Sequence, residues 1–305
     1  MSAPRCIKPG TTWFLTRRTT NGLHLLRPDL DRTLQTLYLY ITAVLCSELG
    51  ILLHAVQMLS NHFHEVVTDT RGVLPKFLQE RNRLFALGIQ VHRSWQEPVF
   101  SRTNPSCIEL LTNEAILDKI GYTISNCIAA GLARTPKEWP GVTLWADDTG
   151  NAFIEVERPN FFFNPKNPRW PKTAKLAITV PPTIAEACNS LALAYSVIRE
   201  AIEHAIRSAS EEALEKGFVD RTPSAVCESN VFSRTKAPAA GGGGRTFASV
   251  GNKSAAARAI AERRAFRQSY RCALERVREG QALVAFPFGT WRYCRELNFP
   301  MCIAA

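Results

Sequence analysis

One apolar stretch, residues 51–68, constrains the fold of this chain most strongly. It reads ILLHAVQMLSNHFHEVVT, with two β-prone runs flanking Ser60 and Asn61. Turn-forming residues between such runs predict a hairpin, or one strand with a sharp bend. Because side chains alternate between the two faces of a strand, His62 and His64 share a face and Phe63 lies on the other.

Two imidazoles on one strand face can bind a metal ion. Their backbone positions are roughly 6–7 Å apart, and a third ligand must come from elsewhere in the chain. An oxygen ligand beside imidazole suits Mg²⁺ or Mn²⁺ acting on a phosphate. The alternative is a metal-free pair of half-buried histidines, because this short pattern is common by chance.

A helix is predicted over Asn113–Ala130, with isoleucines at four successive i, i+4 positions: Ile116, Ile120, Ile124 and Ile128. On the same helix, Tyr122 and Asn126 are also four residues apart and therefore share a face. Asn126 could reach a metal ion. A nearby cation would favour the ionised form of Tyr122 and make it a nucleophile. The alternative is an ordinary half-buried tyrosine beside a surface asparagine.

The remaining elements of the first half suggest its fold class. We predict a strand at Trp13–Thr19, a helix from Asp29 or Asp31 to about Leu49, and a helix over Val73–Leu87 that ends at Gly88. Helices interleaved with hairpin-connected strands indicate an α+β fold. We expect a ferredoxin-like or RRM-like antiparallel sheet with helices on one face and the other face free for a ligand.

The second half divides into three predicted regions after a first domain at 1–150. Residues 151–235 form a Pro-rich connector and helical region, in which Pro159–Pro182 has no regular element and a helix covers Ile184–Gly217. Residues 236–251 form a flexible linker, and 252–305 form a basic helical segment. The helix of that last segment is expected over Asn252–Gly280.

The charge of the chain indicates a polyanionic partner, either nucleic acid or an acidic membrane surface. The formal net charge is +10 and the pI is about 9.3. Residues 1–150 contain 15 Lys and Arg against 13 Asp and Glu, whereas residues 151–305 contain 22 against 14. The C-terminal helix could therefore track a phosphate backbone, and Trp291, Arg292 and Tyr293 could stack on unpaired bases. Alternatively, the helix is amphipathic and docks on the core.

Cysteine usage and hydropathy indicate the compartment. The nine cysteines are odd in number, widely spaced and without a CxxC pair, which argues against a disulfide framework or a structural zinc site. There is no apolar leader after Met1 and no run of 18 apolar residues. We expect a cytoplasmic protein with no membrane segment.

Two blocks of the sequence resemble the HUH single-tyrosine transposases, especially the REP-associated tyrosine transposases. The segment 54–67, HAVQMLSNHFHEVV, is similar to the family block A-Y-x-x-M-P-N-H-x-H, and the segment 119–132, KIGYTISNCIAAGL, is similar to Y-I-x-x-N-P-V-x-A-G-L. Trp139-Pro-Gly141 resembles the segment that follows. The resemblance covers about residues 10–145 and identifies 1–150 as the expected catalytic domain.

This resemblance implies a metal-dependent DNA transposase and endonuclease. His62, His64 and Asn126 would hold Mg²⁺ or Mn²⁺, and His62, His64 and Tyr122 would form the catalytic centre. Tyr122 would attack single-stranded DNA to give a 5′-phosphotyrosine and a free 3′-hydroxyl, and reversal would join strands. The DNA would carry a hairpin near the cut, and the protein would be a monomer or homodimer.

The sequence also departs from the family pattern at three places. Ser60 and Cys127 replace prolines, and Glu65 replaces an apolar residue. None of these changes removes a catalytic group. Two functional alternatives remain open: a domesticated DNA-hairpin-binding protein of the same fold without transposition activity, and an HUH replication initiator or relaxase.

Overall fold

The computed structural model describes residues 4–101, 103–147, 153–216, 222–235 and 246–302. Within these ranges the chain forms eight strands: β1 Thr11–Arg18, β2 Ile51–Met58, β3 His62–Asp69, β4 Ser106–Leu110, β5 Thr143–Trp145, β6 Phe153–Glu157, β7 Thr173–Ala177 and β8 Phe247–Ala248. The α-helices in the same ranges are α1 Thr33–Leu49, α2 Leu74–Arg93, α3 Asn113–Ala129, α4 Pro182–Ala187, α5 Leu191–Glu215, α6 Pro223–Glu228 and α7 Lys253–Arg278.

Six of the strands form one mixed sheet in the order β5-β2-β3-β1-β4-β8, and β6 pairs with β7 in a separate ribbon. All pairs in the main sheet are antiparallel except β4 with β8. The α+β class and the hairpin at Ser60–Asn61 are therefore confirmed. A bulge in β2 leaves His54, between Leu53 and Ala55, without a register partner on β3, and brings Gln57 opposite His64.

Helices cover both faces of this sheet, whereas the sequence prediction placed them on one. The first face packs against α1 and α2 through residues such as Trp13 and Phe63. The second face packs against α3, with α5 outside it, through residues such as Phe14 and Val66. The central strands are apolar on both faces, so both faces must be covered. The face expected to be free for a ligand is thus only partly open.

Close helix contact explains a helix end that was predicted wrongly. The predicted stop at Gly88 lies inside α2, which continues to Arg93. A Cβ atom at Gly88 would come within 2.6 Å of Leu37 Cδ2 of α1, so this glycine permits close packing and does not end the helix. Gly121 of α3 has a similar role, because a Cβ there would meet Ala201 of α5 at 2.9 Å.

Three other predicted boundaries differ from the structure. The helix expected over Ile184–Gly217 is divided into α4 and α5, because Ser190 caps a new helix by accepting a hydrogen bond from Leu193. The connector Pro159–Pro182 contains β7, which buries Ala174 and Leu176 in alternation. Most of the linker predicted at 236–251 falls on 236–245, outside the described residues, but its last part contains β8.

Candidate active site

The two histidines lie at the start of β3, on the sheet face that packs against α3. Their ring centroids are 4.9 Å apart, with the ring planes at 81°. Phe63 points to the opposite face, where it contacts Tyr38 and Phe85. The predicted sharing of one face by His62 and His64 is therefore confirmed.

Hydrogen bonds orient both imidazoles through their Nδ1 atoms. His62 Nδ1 lies 2.6 Å from Asn61 Oδ1, and His64 Nδ1 lies 2.8 Å from Thr16 Oγ1 on β1. An amide oxygen only accepts, so His62 Nδ1 donates and Nε2 keeps its lone pair. His64 Nε2 is buried and has no hydrogen-bond partner. His62 Nε2 in turn faces Asn126 Nδ2 at 3.2 Å, and a metal ion there would take the place of that contact.

The surroundings keep both histidines neutral at pH 7. Burial, assisted by the positive charge of Arg18, lowers the pKa of His62 to about 4. Burial also lowers the pKa of His64 well below its usual value, and the charges of Arg18 and Lys119 act in the same direction. Neutral imidazole is the form that binds a metal ion.

Helix α3 brings the tyrosine and the asparagine to the histidines. Asn126 Nδ2 lies 3.2 Å from His62 Nε2. The Tyr122 ring lies 5.3 Å from the His64 ring, and 43% of the tyrosine is exposed. One turn earlier, Lys119 Nζ lies 5.3 Å from the centroid of the Tyr122 ring. The structure thus brings together the four residues that the sequence singled out.

Gln57, which the sequence did not single out, joins α3 to the sheet by hydrogen bonds. This fully buried side chain accepts a 2.7 Å hydrogen bond from the backbone N–H of Cys127 and donates a 2.9 Å bond to the carbonyl of Ile124. Because Gln57 also lies opposite His64 in the sheet register, it ties the helix to the histidine pair. Its only signal in the sequence is an amide within an apolar strand.

The donor set fits a divalent ion that binds through nitrogen and an amide oxygen. In the described part of the chain no three His, Cys, Asp or Glu side chains cluster as ligands. A third protein ligand at this point would therefore be Asn126. Rotation of its amide about Cβ–Cγ would present Oδ1 where Nδ2 now faces His62. The bonds from Asn61 and Thr16 are of the kind that orient metal-binding histidines.

Two other buried polar residues of the first half, His54 and Arg81, have structural partners. His54 is buried between the Thr179 carbonyl and Thr68 Oγ1, both 2.8 Å from its ring nitrogens. Arg81 is buried against Glu65, with 1% of its side chain exposed. It is therefore not a surface cation.

The similarity of this chain to known proteins is limited. No protein-family model matches it, and no curated protein matches it. Among solved structures it is similar to a REP-associated tyrosine transposase bound to a REP hairpin. The identity is 19%, the TM-score is 0.37, and the match covers 46% of this chain and 81% of that one. In the described residues no helix is both long and apolar enough to cross a bilayer.

Proposed function

We propose that this protein is a metal-dependent single-stranded DNA endonuclease and strand transferase of the transposase type, with Tyr122 as its nucleophile. One observation carries the proposal. A half-exposed phenol, two neutral imidazoles and an amide that faces one of them converge on one face of the sheet. Residues 1–150 would supply this catalytic domain.

The cations at the edge of the site would hold the DNA phosphate. Lys119 lies beside the Tyr122 ring, and Arg18 is the register partner of His62 on β1. Both could contact the phosphate oxygens by charge-assisted hydrogen bonds. Phe14 supports the tyrosine from below, with its ring 5.8 Å away and nearly perpendicular.

His62, His64 and Asn126 would hold Mg²⁺ or Mn²⁺, which would polarise the scissile phosphate and neutralise part of the charge in the transition state. Tyr122 Oη would attack phosphorus, so that an O–P bond to tyrosine forms and the bond to the 3′ oxygen breaks. The phenol proton ends on the released 3′-hydroxyl. The 5′-phosphotyrosine can then be attacked by another 3′-hydroxyl, which restores Tyr122 and joins two strands.

A covalent-adduct assay tests this proposal. Purified protein is mixed with labelled single-stranded DNA from the flanks of its own gene, including any hairpin, and with Mn²⁺ or Mg²⁺. We expect a shifted band on a denaturing gel that is lost with EDTA, with Tyr122→Phe and with His64→Ala. Tyr195→Phe, a change at a partly buried tyrosine of α5, is the matched control and should leave the band intact.

The other outcomes separate the alternatives. Hairpin binding without an adduct on any flanking sequence would contradict the proposal and favour a domesticated DNA-hairpin-binding protein. An adduct formed only on plasmid origin sequences would favour a replication initiator or relaxase. Light scattering of the protein with and without the hairpin would decide between a monomer and a homodimer.

A further inference from the structure

An open groove of about 530 Å³ lies between α7 and β8, at the edge of the main sheet. We call it the α7 groove. Its walls include four arginines, and its apolar lining comes from an isoleucine and a phenylalanine: Phe247, Ile260, Arg263, Arg264, Arg267 and Arg271. The cavity thus combines positive charge with apolar surface.

The arginines of the α7 groove form one stripe along the helix. Arg264, Arg267 and Arg271 follow at spacings of three and four residues, which places them on one face. Like charges at such spacings destabilise a helix. Across the described residues none of these three is in an ion pair, whereas Arg263 is bound to Glu109. The stripe therefore carries uncompensated charge that an anionic ligand would neutralise.

The lining of the groove distinguishes between anionic ligands. Ile260 is 57% exposed, and Phe247 is partly exposed with Arg263 over its ring, 4.5 Å from the centroid. A DNA duplex would offer the groove mainly phosphates, because its bases are stacked inside. A single strand offers phosphates to the arginines and base faces to the apolar lining. The combination fits a single strand best.

The aromatic residues that the sequence suggested for base stacking are already used within the protein. Tyr293 stacks on Phe286 with ring centroids 4.5 Å apart, and it also contacts Tyr270. Trp291 is partly buried against the main core and donates to Glu296. Base contact in the C-terminal segment would therefore fall on the α7 groove.

We propose that the α7 groove binds single-stranded DNA at a point separate from the cleavage site. β8 is three strands away from β3 in the sheet. Glu109, which holds Arg263, lies opposite Trp13 and so belongs to the face that packs against α1 and α2. His62 and His64 lie on the other face. The groove would hold a flank of the substrate, an assignment that rests on the proposed function.

Binding without chemistry tests this inference. The full-length protein, carrying Tyr122→Phe and kept in EDTA, is titrated into labelled oligothymidylate of about 16 nucleotides, and fluorescence anisotropy is followed at several salt concentrations. The groove variant carries Arg264→Gln, Arg267→Gln and Arg271→Gln. The control variant removes the same charge elsewhere on α7, through Arg258→Gln, Arg276→Gln and Arg278→Gln.

We expect the groove variant to bind at least about tenfold more weakly at low salt than the control. Each phosphate contact contributes about 0.7 to the slope of log Kd against log salt, so the slope should fall by about 2. Phe247→Leu should weaken binding about fivefold without changing the slope, since base stacking does not release counterions. Circular dichroism checks that all variants fold.

Two results would overturn the inference. Equal losses in the groove and control variants would mean that only net charge matters. Loss of binding to a DNA duplex or to anionic lipid vesicles, with oligothymidylate binding kept, would assign the groove to that other ligand. Neither result affects the Tyr122 adduct, which is measured separately, so failure of the groove and failure of the proposed function are distinguishable.

Discussion

The two faces of β3 carry polar side chains in opposite states. On the α3 face, His62 Nε2 faces Asn126 Nδ2, and His64 Nε2 has no hydrogen-bond partner and lies beside the half-exposed Tyr122. On the other face, the Glu65 carboxylate accepts hydrogen bonds from Tyr38 and Arg81 inside the core. Alternate side chains of β3 thus point either to the candidate site, as His62 and His64 do, or into the core, where Glu65 forms the buried ion pair with Arg81. We call this ion pair the closed pair.

The Glu65–Arg81 pair stays charged inside the core. Burial alone would lower the pKa of Arg81, but the Glu65 carboxylate raises it, so the guanidinium stays charged. The same guanidinium lies 4.7 Å from the Phe63 ring centroid and 5.1 Å from that of Phe77. Burial and the charge of Glu65 raise the pKa of Tyr38, which remains a neutral donor.

The two faces differ in access rather than in how completely their polar groups are hydrogen-bonded. Glu65 Oε2, Arg81 Nη2 and His64 Nε2 are all buried without a partner among the described residues, at a free-energy cost to folding. The ion pair is enclosed by the core, whereas the histidines lie beside the half-exposed Tyr122. Variants on each face test whether stability and activity separate in this way.

The largest expected effect is on stability, from breaking the closed pair. Arg81→Leu leaves Glu65 charged and buried, and the free energy of unfolding should fall by about 3–5 kcal/mol. Urea denaturation measures this change. The double variant Glu65→Leu/Arg81→Leu removes both charges and should recover most of the loss. A double variant as unstable as the single one would mean that packing of the arginine, not pairing, is what matters.

The histidine and tyrosine positions could be predicted from local periodicity alone. Alternation along a strand places His62 with His64, and the helical repeat places Tyr122 with Asn126. These rules concern neighbours within one element, and the structure confirms both shared faces. The chemical roles of the four residues stay a prediction.

Contacts between elements could not be predicted in the same way. The burial of Arg81 has no local signal because its partner Glu65 lies 16 residues away on another element. Gln57 was missed because its partners are backbone atoms of α3, 67 and 70 residues further on. Gly88 was interpreted as a helix stop because the close approach of Leu37 is a contact between two helices, which the local sequence does not reveal.

The second prediction concerns the link between the sheet and α3. Gln57→Glu keeps the shape of the side chain and an acceptor for Cys127 N–H, but it removes the donor to the Ile124 carbonyl. A small displacement of Tyr122 from the site can reduce the rate by about 100-fold. We expect adduct formation at saturating DNA to slow by about that factor, with the Kd for DNA unchanged. An unchanged rate would show that Gln57 supports the fold only.

The third prediction concerns the oxygen that orients His64. Thr16→Val removes the hydrogen bond to His64 Nδ1, and the affinity for Mn²⁺ should fall by about tenfold, as measured by isothermal titration calorimetry. Thr12→Val is the matched control on the same face of β1, where the Thr12 hydroxyl lies 2.8 Å from Thr68 Oγ1. Equal effects of the two variants would argue against an orienting role.

The smallest expected effect is on stability and comes from a second buried carboxylate, Asp29, which lies between α1 and α2. Burial alone would raise its pKa, but hydrogen bonds from His92 and Arg93 and the charge of Arg93 lower it from 3.8 to about 2. Because the folded pKa lies below the unfolded one, the stabilisation is present above about pH 4 and is lost as the pH falls towards 2. Solvent screening at the partners His92 and Arg93 limits this stabilisation to about 1 kcal/mol.

Urea denaturation of wild type and Asp29→Asn at several pH values measures this contribution. The difference in unfolding free energy between them should shrink as the pH falls from about 4 to about 2, because only the wild type gains a proton on unfolding there. When both proteins also carry Arg93→Gln, this difference should decrease less with pH, because the Arg93 charge that lowers the pKa of Asp29 is gone. A difference that is constant with pH would mean that Asp29 acts only by accepting the Leu34 N–H at the start of α1, which a neutral amide can also do.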